Sequence, residues 1–191
     1  GLGSSIRISN CELRDNAASF GGGLGAVSST VVVVGSKFSG NDAASPAWAA
    51  GGGMWSSGCQ GEVSDCVFAS NSALSSVVPG DGGGLFTRDS DLAVSGCTFI
   101  ANNAGAGGGG FYSYYYDGAV VSGCRFEQNT AQFGGAAYLE RSHASIAHCA
   151  FVQNSAAAGG AVEINDNSTN VFDDCDFTGN TASQFDGGAI Q

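Results

Sequence analysis

The chain has 191 residues, enough for one domain or two, and 32 of them are glycine, which excludes an ordinary helical protein because glycine is costly inside helices. Its net charge is −11, and its 6 lysine and arginine residues are scattered, which argues against nucleic acid and anionic membrane surfaces as partners. No apolar run approaches the ~20 residues needed to cross a bilayer, so direct membrane insertion is not expected.

Two strand-like segments open each of seven repeats along the chain. In the first repeat, Ile6 and Ile8 alternate with polar residues, a pattern typical of a half-buried strand. A Cys-x-Phe-type segment follows. Its inward-facing residues fall on the other set of alternating positions, so we expect a bend between the two strands. Six cysteines share this repeat position: Cys11, Cys66, Cys97, Cys124, Cys149 and Cys175.

The second segment ends in a recurring Phe-x-x-Asn motif. Its phenylalanines are Phe38, Phe68, Phe99, Phe126, Phe151 and Phe177. The asparagine position is filled in all seven repeats, by Asn16, Asn41, Asn71, Asn102, Asn129, Asn154 and Asn180. We expect the rings to stack inside. We expect each Asn to occupy a tight corner, to tolerate unusual backbone angles there, and to bond to the next Asn along a ladder.

A glycine pair precedes a third alternating segment, as in Gly159-Gly160-Ala161-Val162. The apolar residue after the pair lies 12 or 13 residues before the next cysteine position, whereas the distance from Asn to the next pair varies from 5 to 11 residues. One part of the repeat is therefore rigid, and one corner accepts insertions. We expect the pair to form the sharpest corner, where φ is positive and no Cβ fits.

Three short strands per repeat, separated by bends, predict one coil of a parallel β-helix. We therefore predict an all-β, right-handed solenoid of about seven coils that occupies residues 1–191 as a single domain. Terminal repeats normally carry a cap, and none is evident here. The segment is accordingly expected to be an excerpt of a longer array, or to associate end to end with other copies.

The two recurring tetrapeptides resemble the repeats of the chlamydial polymorphic outer membrane proteins. That family is marked by Gly-Gly-Ala-(Ile, Leu or Val) and by Phe-x-x-Asn. Two strict copies of the first motif, at 159–162 and 187–190, and six of the second are present. The resemblance implies a right-handed β-helix of the pectin-lyase-like kind, exposed on a cell surface and used in adhesion.

An aromatic stripe is the candidate contact for a protein partner or a glycan. One outward position per coil is filled by Trp55, Phe86, Tyr112 and Tyr138, so four exposed rings are expected on one sheet, and an exposed apolar patch usually marks a partner surface. Tyr114, Tyr115 and Tyr116 lie near the same face. The alternative is structural, with rings that stabilise one another or lie under loops.

The cysteines are expected to stack as buried, reduced thiols, because parallel Cβ directions suit bridging poorly. Cys59 stands outside the repeat position and could pair with Cys66. No metal or other cofactor is expected, since the chain has no Cys-x-x-Cys, and its two histidines, His143 and His148, are expected to be exposed polar residues.

Clustered carboxylates such as Asp89, Asp166 and Asp174 lie near predicted bends, where Asp commonly forms turns. Asn167-Ser168-Thr169 is a glycosylation sequon that matters if a eukaryote secretes the chain.

These features favour a non-catalytic structural or adhesive segment, extracellular or on the cell surface. Its expected partners are other protein subunits or surface glycans. The alternative is a polysaccharide-active β-helix enzyme of the lyase or hydrolase kind, which would need an open cleft with converging carboxylates.

Overall fold

The computed structural model describes residues 4–115 and 118–191, and these form an all-β solenoid of about seven coils whose strands pair in parallel. Within those two ranges there is no helix of the length and apolar character that crossing a membrane requires. The predicted fold class is confirmed.

Four stacks of strands run along the solenoid, and each coil passes through them in order. Sheet 1 contains Ser4–Ser9, Ser29–Val34, Gln60–Ser64, Asp91–Ser95, Val120–Ser122, Ser145–Ala147 and Val171–Asp173. Sheet 2 contains Glu12–Arg14, Lys37–Ser39, Val67–Ala69, Thr98–Ile100, Arg125–Glu127, Ala150–Val152 and Asp176–Thr178.

Sheet 3 is the short fourth strand that the expected three per coil did not include. It contains Ala17–Ala18, Asp42–Ala44, Ser72–Leu74, Asn103–Ala104, Ser155–Ala156 and Thr181–Ala182, and single bridges at Thr130 join its two parts. Sheet 4 follows the glycine pairs and contains Leu24–Val27, Met54–Ser57, Leu85–Arg88, Phe111–Tyr114, Ala137–Glu140 and Val162–Asn165. Strands this short lack a strong alternating pattern, which explains why sheet 3 was not predicted.

The phenylalanine ladder forms the centre of the core, as predicted. Neighbouring rings from Phe38 to Phe177 stack with centroids 4.6–4.9 Å apart and planes within 8° of parallel. This spacing equals the ~4.8 Å rise between parallel strands, so each ring lies directly over the ring of the preceding coil. The ladder therefore fixes the register of one coil on the next.

The asparagine ladder lies inside the corner between sheets 2 and 3. Each buried Asn side chain uses its whole hydrogen-bonding capacity. Asn102 Nδ2 donates to the carbonyl oxygen of Phe68 (2.9 Å) and to Asn129 Oδ1 (3.0 Å). Its Oδ1 accepts from the backbone nitrogen (3.0 Å) and Nδ2 (2.9 Å) of Asn71. The predicted Asn–Asn bonding is therefore present, and it also satisfies buried backbone groups.

The unusual backbone angle at this corner falls one residue earlier than we expected. The residue immediately before each ladder Asn has a φ of 52–66°, as at Ser70, Ala101 and Gln128, and the ladder Asn residues themselves are not in this region. The reason is that the left-handed residue turns the chain, while Asn directs its amide into the corner. The bend before each cysteine position follows the same rule, with φ of 47–60° at residues such as Asp65, Gly96 and His148.

The glycine pairs form the corner that leads into sheet 4. The first glycine of every pair has a φ of 55–73°. In the first six pairs, a Cβ on the second glycine would meet backbone of the neighbouring coils: at Gly83 it would lie 2.5 Å from the Asn103 carbonyl oxygen and 2.6 Å from that of Gly109. The coils thus approach each other too closely for any other residue, as expected from the motif.

The cysteines stack as predicted, and all seven are free thiols. The backbone nitrogen of Cys66 donates to Cys97 Sγ (3.4 Å), and Cys66 Sγ donates to the carbonyl oxygen of Ser64 (3.1 Å). Hydrogen bonding to Cys124, together with burial, raises the pKa of the Cys97 thiol. Cys59 is not bridged to Cys66. It occupies the bend position that Ser90 fills in the next coil, and its backbone nitrogen donates to Ser90 Oγ (3.1 Å).

Thiol labelling of the native chain is expected to separate these cysteines by burial. Cys11 is exposed and should react first with a polar thiol reagent, Cys175 should react more slowly, and the five buried thiols should stay unmodified until the chain unfolds. Mass spectrometry of the labelled peptides measures this order. Rapid native labelling of Cys97 or Cys124 would contradict the stacked arrangement.

Candidate ligand-binding groove

The four rings of the predicted stripe lie side by side on the outer face of sheet 4, in adjacent strands and in register. They are not the exposed surface that we expected: Phe86 is 0 %, Tyr112 4 % and Tyr138 9 % exposed, and Trp55 is half-buried. Their orientation follows from the strand period, but their exposure depends on what packs over them. The expectation of four exposed rings is therefore wrong.

Aromatic residues from the variable segments cover the stripe. Trp48 packs edge-on against Phe86, with ring centroids 5.7 Å apart, and Phe20 lies 5.2 Å from Trp48 and 5.4 Å from Trp55. Phe133 stacks on Tyr138 at 6.2 Å. The stripe, Trp48, Phe133, Ala50 and Tyr114 form a second, smaller apolar cluster outside the solenoid core, which we call the outer aromatic cluster, and Phe20 packs at its edge.

A groove of about 420 Å³ opens beside the outer aromatic cluster. Phe86 and Tyr112 contribute to its lining from sheet 4, and Trp48 and Tyr114 are its half-exposed rings. Val78, on the segment that leads to the third glycine pair, and Arg88, at the end of a sheet 4 strand, also line it. Two carboxylates, Asp81 and Glu140, line the same space. The groove therefore combines apolar walls with a few convergent polar groups, as small-molecule sites do.

Asp81 holds two neighbouring segments together. Its Oδ2 accepts a hydrogen bond from Trp48 Nε1 (2.9 Å), and its Oδ1 accepts one from the backbone nitrogen of Gly107 (3.1 Å). Burial, the largest cause, and the charge of Glu140 raise the pKa of Asp81 to about 6, while the two hydrogen bonds act in the opposite direction. Asp81 thus fixes the position of Trp48 at the groove.

Glu140 lies at the end of a sheet 4 strand and accepts a hydrogen bond from the hydroxyl of Tyr112. Burial, followed by the charge of Asp81, raises the pKa of Tyr112, so this phenol stays protonated and donates. The neighbouring phenol, Tyr138, accepts a hydrogen bond from Asn165 Nδ2 (2.9 Å). The two tyrosines are therefore anchored at both the ring and the hydroxyl.

Arg88 stands beside the carboxylates but is engaged elsewhere. Its Nε lies 3.3 Å from Asp89 Oδ2, and its guanidinium lies 5.7 Å from the centre of the Tyr114 ring. A cation over an aromatic face is attracted to it, so Arg88 orients Tyr114 as a wall of the groove.

Replacement of Asp81 by Asn is expected to change how stability depends on pH. Because the raised pKa means that the folded state binds this proton more tightly than the unfolded state, Asp81 destabilises the fold increasingly as pH rises from about 4 to about 6. The free energy of unfolding of Asp81→Asn, relative to wild type, should therefore increase by about 1–3 kcal/mol between pH 4 and pH 7. Urea denaturation of both proteins at pH 4 and pH 7 measures this change. If the difference in the free energy of unfolding between variant and wild type is the same at both pH values, the burial of the Asp81 carboxylate is contradicted.

The remaining predicted positions do not join this groove. Asp89, Asp166 and Asp174 occupy bends with φ of 47°, in agreement with their expected role in turns. His143 and His148 are exposed, as predicted. Among the described residues, no three metal-binding side chains come together.

Two further predicted positions concern the surface of the chain. Asn167, the possible glycosylation site, lies in an exposed bend. Tyr116, which the sequence placed near the aromatic stripe, lies outside the described residues.

Sequence reasoning missed Asp81, although a signal was present. Asp81 stands directly before a glycine pair, and bridges place it next to Ala50 in the preceding coil. In other coils Phe20, Phe133 and Ala158 fill the same position. Gly107 and Asp186 fill it before the remaining two pairs, so a carboxylate stands there twice in seven repeats. A carboxylate at a position that is apolar or glycine in the other five repeats marks a departure from the repeat, and such departures often indicate function.

The chain is similar to one known protein family over nearly its whole length. The family model described as a right-handed beta helix region matches residues 3–190. No significant match was found among curated proteins or solved structures. The matched range covers nearly the whole chain and agrees with the stacked parallel coils. The chain therefore belongs to the right-handed β-helix family.

Proposed function

We propose that this chain is a non-catalytic, adhesive β-helix segment of an extracellular or cell-surface protein, and that its groove on sheet 4 binds a surface glycan. The observation that carries the proposal is the pair of half-exposed rings, Trp48 and Tyr114, at a groove that also holds hydrogen-bonding carboxylates. Flat rings suit the apolar faces of sugar rings, and carboxylates accept hydrogen bonds from sugar hydroxyls.

The arrangement also supports binding rather than turnover. Both oxygens of Asp81 already accept hydrogen bonds from Trp48 and Gly107, and Glu140 accepts one from Tyr112. These bonds hold the walls of the groove in position. A preformed groove of this kind loses little conformational entropy when a ligand enters it.

Isothermal titration with a panel of oligosaccharides tests the proposal. Tyr114→Ala removes one accessible ring and should weaken binding of the best ligand about tenfold. Phe185→Ala is the matched control, because Phe185 is an exposed ring in the last coil that does not line the groove, and its loss should leave binding unchanged. If none of the saccharides binds, or if Tyr114→Ala and Phe185→Ala bind the best ligand equally well, the proposal that the groove binds a glycan is wrong.

A polysaccharide-active enzyme is the second candidate, and one observation favours it. Asp81 has a pKa raised to about 6 and shares the groove with Glu140, as in acid–base pairs that cleave glycosidic bonds. Release of reducing ends or of unsaturated products from a polysaccharide panel, abolished in Asp81→Asn, would support this alternative. Binding of a glycan without product release would favour the adhesive function.

A further inference from the structure

We propose that the saccharide bound in the groove is an amino sugar, an oligosaccharide that carries protonated amino groups. This inference rests on the proposed glycan-binding function and names the ligand class of the same groove. Its basis is the charge of the groove and the nature of the groups that already contact its two carboxylates.

The carboxylate of Asp81 is largely buried, yet both groups that donate to it, the Trp48 indole and the Gly107 amide, are neutral. Glu140 likewise accepts from a neutral group, the phenol of Tyr112. The two carboxylates are close enough for the charge of Glu140 to act on Asp81. Buried charges are normally compensated by an opposite charge. The two carboxylates therefore favour a cation in the groove, which separates them from the solvent.

Arg88, the cation that lines the groove, does not fill this role. Arg88 directs its Nε to Asp89 (3.3 Å) and its guanidinium over Tyr114 (5.7 Å), so its charge is shared with a carboxylate outside the groove. Trp48 and Tyr114 present aromatic rings at the same opening, and such rings attract cations as well as apolar sugar faces. A ligand with both a pyranose ring and an ammonium group uses both features.

The same charges act against acidic saccharides. A uronate placed beside Asp81 and Glu140 would add a third carboxylate, and like charges in a partly desolvated site are repelled. The whole chain carries a net charge of −11, which adds long-range repulsion of anions and attraction of cations. Specificity for an amino sugar over a uronate therefore follows from repulsion as well as attraction.

The experiment compares three tetrasaccharides of similar size by isothermal titration at about pH 6.5 and low salt. The probes are the glucosamine tetramer, its fully N-acetylated form and the galacturonic acid tetramer. Acetylation removes the charge and keeps the ring, so it is the matched ligand control. We expect the glucosamine tetramer to bind at least tenfold more tightly than the acetylated form, and the uronate to bind most weakly, because charged hydrogen bonds contribute more than neutral ones.

Two variants locate the effect in the groove. Glu140→Gln keeps the shape of the side chain and an acceptor for Tyr112 but removes one negative charge, so it should reduce the preference for the glucosamine tetramer about tenfold. Glu62→Gln removes one negative charge from the exposed face of sheet 1 and should leave the preference unchanged. Circular dichroism of both variants confirms that each is folded before titration.

The outcomes separate this inference from the proposed function. If the acetylated or acidic tetramer binds as tightly as the glucosamine tetramer, the amino-sugar inference is overturned and glycan binding stands. If no saccharide binds, both are overturned. If oligolysine binds with the same dependence on Glu140 and no saccharide does, the groove takes a basic peptide, and the amino-sugar inference is again overturned.

Discussion

Replacement of Asn102 by Ala should lower the free energy of unfolding by about 4–6 kcal/mol, although it removes only a short side chain. Asn102 makes four hydrogen bonds in a buried corner. Its loss leaves the backbone N–H of Asn71 and one of the two Nδ2 hydrogens of Asn71 without an acceptor, and it removes the donors to the Phe68 carbonyl and to Asn129 Oδ1. Each buried group left without a partner costs about 1–3 kcal/mol, and water cannot replace the amide in a packed corner. Urea denaturation followed by tryptophan fluorescence measures the change.

The neighbouring residue provides the control for this experiment. Asn103 has the same side chain but is exposed, and its Oδ1 accepts one hydrogen bond, from Thr130 Oγ1 at 3.0 Å. Asn103→Ala should therefore cost less than about 1 kcal/mol. Equal losses at the two positions would show that the ladder does not hold the corner.

Replacement of Phe99 by Ala is the second change with a large expected effect. Phe99 is fully buried, and its ring stacks on Phe68 and Phe126 with centroids 4.8 Å away on each side. Removing the ring leaves a cavity bounded by two rings that rigid backbone coils hold apart, so little collapse is possible. We expect a loss of about 3–5 kcal/mol in the free energy of unfolding, measured by urea denaturation.

Phe177 provides a matched control at the same repeat position. It stacks on Phe151 at 4.6 Å, but it is only partly buried, in the last coil. Phe177→Ala in this chain should therefore cost clearly less than Phe99→Ala. If Phe99→Ala lowers the free energy of unfolding no more than Phe177→Ala does, the continuous stack is contradicted.

The core could be predicted from the sequence because each of its residues repeats. Phe99 and Asn102 recur at nearly constant phase, and parallel coils place such residues above one another. The glycine pairs were predictable for the same reason, since close backbone approach at residues such as Gly83 recurs in every pair but the last. A structural requirement that recurs in each coil selects the same residue type at the same repeat position. Such a repeat is a strong signal of the fold even without related sequences.

The groove could not be predicted in this way because its walls do not repeat. Trp48 lies in a segment of variable length, and its place over Phe86 depends on how that segment folds back on sheet 4. Strand alternation correctly predicted that Phe86 and Tyr112 point away from the core, but it contains no information about what covers them. The raised pKa of Asp81 likewise depends on burial and on the charge of Glu140, which is distant in sequence.

The most direct test of the groove uses the two tryptophans of the chain, whose indole N–H groups give separate signals in a ¹H–¹⁵N NMR spectrum. Trp48 lines the groove and donates to Asp81, whereas Trp55 does not line it. Titration with the glucosamine tetramer should shift the Trp48 indole signal and the Gly107 amide signal most, with a much smaller change at Trp55. If the Trp48 signal does not move at saturating saccharide, or if the Trp55 signal moves instead, binding in the groove is contradicted.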